Sequence, residues 1–175
     1  MKSPAPLGVA LLEALVALCV LAFAVMGLLA YQLRSYVDGQ LAAQRVVANR
    51  LAQDLFERVR ANPGGTSLLP NYATANQSGG RPSDCAVQPC TGTELVAWDL
   101  DQWRSRVGRE LPMGQATVFL SQARSGQLGI LLSWRANEDA TQADVLRGLM
   151  ISAQTSAGTL NCPDRRICHL LFSAP

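Results

Sequence analysis

One carboxylate lies inside a long apolar stretch near the start of the chain. Between Leu7 and Tyr31 the sequence reads LGVALLEALVALCVLAFAVMGLLAY, in which Glu13 is the only charged side chain. A charge at the centre of a bilayer costs about 2.5 kcal/mol or more, so such a residue normally has a partner and a function. Gly8 precedes it by five positions, after the short polar leader MKSPAPL. Glu13, with Gly8 before it, is therefore the first candidate functional residue.

Four of the five cysteines lie in polar, turn-rich sequence, as the pairs Cys85/Cys90 and Cys162/Cys168. In a small domain behind a membrane segment they indicate disulfides and an oxidising compartment. Three pairings are possible, and two local bridges are favoured because the members of each pair are close in sequence. Zinc is the alternative, but neither pair has CxxC spacing and the chain has a single histidine. The fifth cysteine, Cys19, lies in the apolar stretch and is expected to behave as a small hydrophobic residue.

The other polar residues form no recognisable catalytic or nucleic-acid-binding motif. The net charge of +2 is too small for a general nucleic-acid surface, and His169 is expected on the surface or in a loop. Three acidic residues are interpreted as a solvated helix face, and three tryptophans as core or interface anchors. They are Asp99, Asp101 and Glu110, and Trp98, Trp103 and Trp134. We predict a protein without catalytic activity, cofactor or metal.

The apolar stretch is long enough to cross a membrane. Residues 14–31 give 18 positions without a charge, which as a helix span about 27 Å. A cleaved secretory signal has a shorter apolar part, of roughly 7–15 residues, followed by a small-residue cleavage site. The sequence QLRS follows here instead. We therefore expect a membrane-spanning segment, with the cysteine-containing part of the chain on the oxidising side.

Helical periodicity continues beyond the membrane edge. Apolar residues recur at spacings of three, four and seven, which places them on one face of a helix. They are Leu33, Val37, Leu41, Ala48, Leu51, Leu55 and Val59. The sequence NPGG from Asn62 ends the pattern, since proline cannot continue a helix. We predict one helix over residues 10–61, apolar all round in its first half and amphipathic in its second half.

The middle of the chain changes in composition. Residues 62–93 contain five glycines and four prolines, which predicts a long irregular connection. Thr91 and Glu94 then fit a capping box. Apolar residues follow at spacings of four, three, four and four: Val96, Leu100, Trp103, Val107 and Leu111. This spacing predicts a second, shorter amphipathic helix over residues 94–109, closed by the sequence LPMG.

Strand-like runs occupy the last third of the chain. They are residues 116–123, 127–135 and 145–155, separated by Ser125-Gly126 and Asn137-Glu138-Asp139, with a further run at 167–172 in the cysteine-bounded tail. Short connections favour antiparallel neighbours in a meander, and the amphipathic half of the long helix is available to cover one face. The predicted fold class is α+β: a long N-terminal helix packed on an antiparallel meander of three to four strands, with a second short helix before it.

The start of the chain carries a specific motif, Gly8-Val9-Ala10-Leu11-Leu12-Glu13, followed by an apolar helix. This motif resembles the class III signal of type IV pilins and of type II secretion pseudopilins. Further matches are LAQDL at 51–55, ERVRANP at 57–63, Asp99-Leu100, Trp103, Leu111-Pro112-x-Gly114 and Trp134. Together they resemble the type IV pilus modification protein family PilV. Two positions depart from the pattern: Val9 stands where most members have phenylalanine, and Ala30 where many major pilins have proline.

The resemblance implies a pilin-like fold and a processed N-terminus. Residues 1–8 would be a leader that a prepilin peptidase removes after Gly8, with N-methylation of Val9. Residues 9–31 would lie in the bacterial inner membrane and later in the filament core, and residues 32–175 would be a periplasmic domain. Glu13, the fifth residue of the mature chain, would neutralise the amino terminus of a neighbouring subunit and set the register of assembly.

The function implied is that of a minor pilin, which primes pilus assembly, enters the pilus in a tip complex and supports twitching motility and adhesion. The partners implied are other minor pilins, the major pilin, a tip adhesin, the prepilin peptidase and the inner-membrane assembly platform. A type II secretion pseudopilin is the nearest alternative, because it shares the N-terminal signal. A membrane-anchored periplasmic sensor or enzyme domain is a further alternative, which predicts an intact N-terminus.

Overall fold

The structure is a computed structural model that describes residues 7–74, 83–124, 126–135, 152–155, 158–163 and 165–173. The chain divides into two compact units, Met1–Ala43 and Gln44–Pro175. Helix α1 (Leu7–Ala61) contributes to both units. The predicted leader, apart from its last two residues, lies outside the described residues.

The first unit contains the N-terminal part of α1. Every residue from Leu11 to Tyr36 is exposed in it. By length and composition, α1 is the one helix in the described ranges that is apolar enough to cross a membrane. The membrane-length helix predicted from the sequence is thus present.

The second unit takes its helical layer from the end of α1 and from a second long helix. The buried residues of α1 are Ala48, Leu51, Ala52, Leu55 and Val59. The C-terminal part of the predicted apolar face is therefore confirmed. The prediction is wrong for Leu33, which is 69% exposed, because burial along α1 begins only at Ala48.

The connection after α1 is more helical than its composition indicated. A 3-10 helix (Gly65–Leu68) and helix α2 (Leu69–Thr74) occupy part of it, and residues 75–82 lie outside the described ranges. The helix is short, with Pro70 in its first turn, where the missing N–H has no intrahelical partner to lose. Tyr72, fully buried, packs α2 into the domain, and α2 contacts the following helix.

Helix α3 (Gly92–Glu110) agrees with the second predicted helix. Thr91 and Glu94 form both bonds of the capping box, and the hydrogen bonds from the Thr91 backbone and side chain lower the pKa of Glu94. All five residues of its predicted apolar face are buried: Val96, Leu100, Trp103, Val107 and Leu111.

The strands are β1 (Gln115–Leu120), β2 (Leu128–Arg135), β3 (Ser152–Thr155), β4 (Gly158–Asn161) and β5 (Arg166–Phe172). They form an antiparallel three-stranded sheet in the order β1-β2-β5 and a separate β3–β4 hairpin. The antiparallel sheet was predicted, but its third described strand is the C-terminal run, whereas the described end of the run at 145–155 forms β3 of the hairpin.

The hairpin joins the sheet at the far end of β1. Ser121 forms a bridge with Thr155, and the Gln122 N–H donates to the Gln154 carbonyl at 3.2 Å. Residues 136–151, which include the predicted turn at Asn137-Glu138-Asp139 and most of the predicted third strand, lie outside the described ranges. The observed fold is α+β, as predicted.

Candidate assembly site

The residues of the predicted signal lie at the start of α1. Gly8 and Val9 belong to its first turns, and Glu13 follows four residues after Val9, one helical turn further. Glu13 is exposed, and so are the large apolar side chains on both sides of it. They are Leu11, Leu12, Leu15, Val16, Leu18, Val20, Leu21, Phe23, Val25, Met26, Leu28 and Leu29, each between 47% and 76% exposed. A single carboxylate thus stands at one end of an extended apolar surface.

Soluble monomeric proteins rarely expose so large an apolar surface. Such a surface marks a site of contact with a membrane or with another protein. It cannot be the surface of a helix that functions in water alone, because burying such side chains gains roughly 1.5–3 kcal/mol each. The free cysteine, Cys19, is exposed on the same segment. The chemistry available here is packing and charge pairing.

The second unit contains a polar network between α1, α2 and α3, formed by six residues. They are Asp54, Arg58, Asn62, Tyr72, Asp99 and Arg106; we name them the α1–α3 network. Arg58 donates to Asp99 at 3.0 Å and to Asp54 at 3.2 Å, and Arg106 donates to Asp54 at 3.1 Å. These ion pairs connect α1 to α3 twice.

Tyr72 and Asn62 complete the α1–α3 network in the interior. The Tyr72 hydroxyl donates to Asp99 at 3.4 Å and accepts from the Asn62 amide at 3.3 Å. The same Asn62 amide donates to the Gly92 carbonyl at 3.0 Å, while its oxygen accepts from the Gly64 N–H at 2.9 Å. Asn62 therefore holds the end of α1 against the start of α3.

Burial is the largest single influence on the pKa values of Tyr72, Asp99 and Arg58 in this network. It raises the pKa of Tyr72 to about 12. Burial also raises the pKa of Asp99, although the hydrogen bond and charge of Arg58 act in the opposite direction. Burial lowers the pKa of Arg58, but the hydrogen bond to Asp99 and the charge of Asp54 outweigh it, so that pKa is raised.

The interpretation of Asp99 as part of a solvated helix face is wrong. Asp99 is 5% exposed, whereas Asp101 and Glu110 are exposed; Glu110 forms an ion pair with Arg50. Asp99 lies three residues after Val96 and four before Trp103, so helical spacing alone places it on the buried face. This spacing could be read from the sequence. The burial of a carboxylate on that face could not be inferred from spacing alone, because it depends on a cation from another element.

Two tryptophans and the histidine connect α1 to its neighbours within the second unit. Trp103 and Trp134 are fully buried, as expected of core anchors. Their indole N–H groups donate to the Leu51 carbonyl at 2.7 Å and to the Gln44 side-chain oxygen at 2.8 Å. Trp98 is half-buried on α3.

The expectation that His169 lies on the surface or in a loop is met in part, since the residue lies in a strand and its side chain remains partly exposed. It lies on β5, half-buried, and its Nε2 is 2.9 Å from the Asn49 side-chain oxygen of α1. Burial, and then the charge of Arg45, lower the pKa of His169. The ring is a contact between sheet and helix.

Two disulfides close local loops, Cys85–Cys90 and Cys162–Cys168, with Cα–Cα distances of 5.5 and 5.9 Å. This is the pairing that sequence proximity favoured. Cys168 is buried in a small apolar cluster with Phe119, Leu131 and Ala153. Within the described parts of the chain, no group of three or more His, Cys, Asp or Glu side chains could hold a metal ion.

Comparison with known families gives one finding. Residues 30–101, which are 72 of the 175, are similar to the sequence model of a type IV pilin family described as Tt1218-like. The matched segment runs from the exposed part of α1 into α3 and includes five of the six residues of the α1–α3 network. No curated protein and no solved structure matches the chain.

The fold class that the structure defines, a long N-terminal helix with an antiparallel sheet and a short helix, is consistent with a type IV pilin. The family similarity supports a pilin role for this chain. An apolar N-terminal helix fits a pilin that is anchored in a membrane and ends up in a pilus.

Proposed function

We propose that this chain is a minor type IV pilin of the PilV kind, stored in the inner membrane and then packed into a pilus. The observation that carries the proposal is the exposed apolar segment of α1, with one carboxylate five residues after Gly8. The similarity of residues 30–101 to a type IV pilin family supports it. The role is structural: the chain acts by packing.

Processing is the first step in the proposal. A prepilin peptidase cleaves the peptide bond after Gly8, where the missing side chain lets the backbone approach a narrow cleft. The new amino terminus at Val9 is methylated and carries a positive charge. The domain containing both disulfides lies in the periplasm, where an oxidising environment maintains them.

Charge pairing then sets the register of assembly. In a helical filament identical surfaces repeat without closing, so each N-terminal helix packs against its neighbours. An unpaired carboxylate in that apolar core is costly, and the amino terminus of an adjacent subunit neutralises it. Glu13 therefore selects the one axial position at which both charges are paired. With other minor pilins, the subunit primes assembly at the tip, next to the major pilin and a tip adhesin, and so supports twitching motility and adhesion.

N-terminal sequencing of the protein from membranes and from sheared pili tests processing. We expect both to begin at methylated Val9. An intact Met1 in the membrane fraction, with no protein in the sheared pili, would contradict the proposal and indicate a membrane-anchored sensor or enzyme domain. A processed protein that is absent from pili but needed for protein secretion would indicate a type II secretion pseudopilin. A Gly8→Trp variant that is still processed and supports normal piliation would also overturn the proposal.

Substitution of Glu13 tests charge pairing. We expect Glu13→Val to remain in the membrane but to fall at least several-fold in the pilus fraction, measured by quantitative immunoblotting. Asp38→Val is the matched control, since it removes another exposed carboxylate from α1 outside the apolar segment. Normal incorporation of Glu13→Val, or an equal loss for Asp38→Val, would exclude a specific role of Glu13.

A further inference from the structure

Two tyrosines and an arginine stand where the apolar segment of α1 ends. Tyr31 and Tyr36 are 74% and 67% exposed, and Arg34 between them is also exposed. The seventeen residues before Tyr31 carry no charge. Phe23, in the middle of that stretch, is as exposed as Tyr31 at 74%, but it has no polar group. The two tyrosines, which carry a hydroxyl, therefore lie at the end of the apolar segment, whereas Phe23, which has none, lies within it.

Helix geometry places Tyr31 and its neighbours at the other end of the apolar segment from Glu13. Glu13 and Tyr31 are 18 residues apart, which is about 27 Å along a helix axis, close to the roughly 30 Å thickness of a bilayer hydrocarbon core. Tyr31 and Tyr36 differ by about 7.5 Å in height and by about 140° around the axis. They project to different sides of the helix, and this arrangement suits a surrounding lipid interface better than a contact on one face.

We propose that Tyr31, Arg34 and Tyr36 form an interfacial girdle that binds the phospholipid headgroup region and fixes the depth of α1. Tyrosine suits this region because its ring is apolar and its hydroxyl is hydrated. The Arg34 guanidinium matches a lipid phosphate, to which it donates paired hydrogen bonds. The girdle thereby holds Glu13 at the opposite boundary, where a carboxylate costs less than at the bilayer centre. The inference rests on membrane storage within the proposed function, and not on later entry into a pilus.

Cysteine accessibility in vesicles measures the depth of the helix. The full-length chain with Cys19→Ala carries one added cysteine at a time, at Leu28, Leu33, Ser35 or Val37, in vesicles of phosphatidylethanolamine and phosphatidylglycerol. Labelling by a membrane-impermeant maleimide is normalised to labelling in detergent and read on the carbonate-resistant fraction. We expect protection at Leu28 and strong labelling at Ser35 and Val37.

Replacement of the two tyrosines of the girdle is expected to move this boundary. Tyr31→Leu/Tyr36→Leu extends the apolar segment, so insertion persists and the protected zone grows by about one helical turn. Labelling at Ser35 should fall several-fold. Phe23→Leu is the matched control, which should leave the boundary unchanged, and Tyr31→Trp/Tyr36→Trp should preserve it, since tryptophan is also an interfacial residue.

Unchanged labelling at Ser35 in the double leucine variant, or an equal shift in Phe23→Leu, would overturn the girdle. N-terminal sequencing of the same protein from cell membranes separates this result from the proposed function. If the protein is cleaved after Gly8 but the labelling boundary does not move in the double leucine variant, the girdle is overturned and the pilin assignment is not. A boundary that depends on the tyrosines, in a chain with an intact N-terminus, would support the girdle and contradict the pilin assignment.

Discussion

Asp99 carries a carboxylate that is 5% exposed and accepts hydrogen bonds from Arg58 and Tyr72. Burial favours its protonated form more than these partners favour the ionised form, and its pKa is therefore raised. The folded state thus binds a proton at Asp99 more readily than the unfolded state does. By linkage, the contribution of this group to stability increases as the pH falls through the raised pKa.

This sign gives a prediction for Asp99→Asn, which cannot titrate. We expect the free energy of unfolding of the native protein, relative to that of Asp99→Asn, to increase as the pH falls from 7. The gain should be complete below the ordinary pKa of 3.8, and it amounts to about 1.4 kcal/mol for each unit between the folded and unfolded pKa values. Urea unfolding at a series of pH values measures it.

Asp101→Asn is the control for this measurement, because Asp101 lies on the same helix but is exposed. The pH-dependent change should be larger for Asp99→Asn than for this control. A relative loss of stability by the native protein as the pH falls would mean that the Arg58 ion pair, and not burial, controls the pKa of Asp99.

At the scale of elements, α1 and α3 pair through alternating charges. Successive turns of α1 present Arg50, Asp54 and Arg58, and the facing residues of the antiparallel α3 are Glu110, Arg106 and Asp99. A slip of one turn would place like charges opposite each other, which is unfavourable. The exposed pairs contribute little energy, so their effect is to exclude wrong registers.

The buried pair, in contrast, should have a large effect when it is broken. We expect Arg58→Met to destabilise the protein by about 3 kcal/mol, because it leaves Asp99 buried without its cation. Adding Asp99→Asn should recover more than half of that loss, since the uncompensated charge is removed. Urea unfolding of the four proteins in this double-mutant cycle provides the coupling energy.

Arg60→Met is the control, because the ion pair of Arg60 with Glu57 lies at the surface, with both side chains more than half exposed. Its cost should stay below about 0.5 kcal/mol. Additive effects of Arg58→Met and Asp99→Asn would contradict the energetic coupling of the pair.

The two disulfides provide a further comparison between elements. Their loops have nearly equal sequence separations, five and six, so the entropic gain from closure is similar, at about 2 kcal/mol each. Cys168 belongs to the buried apolar cluster, and Cys162 packs against it. We expect Cys162→Ser/Cys168→Ser to lower the melting temperature more than Cys85→Ser/Cys90→Ser does, measured by circular dichroism. Equal shifts would mean that the cluster contributes nothing beyond ring closure.

At the scale of the whole molecule, the buried core belongs to one unit. All buried residues in the described ranges follow Gln44, the first residue of the second unit. We expect a fragment of residues 44–175, produced under oxidising conditions, to unfold cooperatively in urea. Its midpoint should lie close to that of the full chain in detergent, and a fragment without a cooperative transition would contradict this division.

Local periodicity predicted the elements better than their partners. The spacing of Val96, Leu100 and Trp103 located α3 and its buried face, because helical sidedness is a local property. The neighbour of β2 was not predictable in the same way, since residues 166–172 and 145–155 both have strand-like composition and pairing depends on distant residues. The α1–α3 network was not predictable for the same reason. The burial of the Asp99 carboxylate depends on its ion pair with Arg58, which lies 41 residues earlier.

The sheet order also determines when the domain can be completed during synthesis. β2 pairs with β5 over seven residues, and β5 begins 31 residues after β2 ends. Because the chain is synthesised from its N-terminus, β2 is made before β5. The edge of β2 that pairs with β5 therefore lacks this partner until the tail has been synthesised. An open strand edge invites aggregation and proteolysis. A product that stops before Arg166 lacks β5, the strand that pairs with this edge, so interrupted chains differ from chains that extend through Phe172 in the partner available to β2.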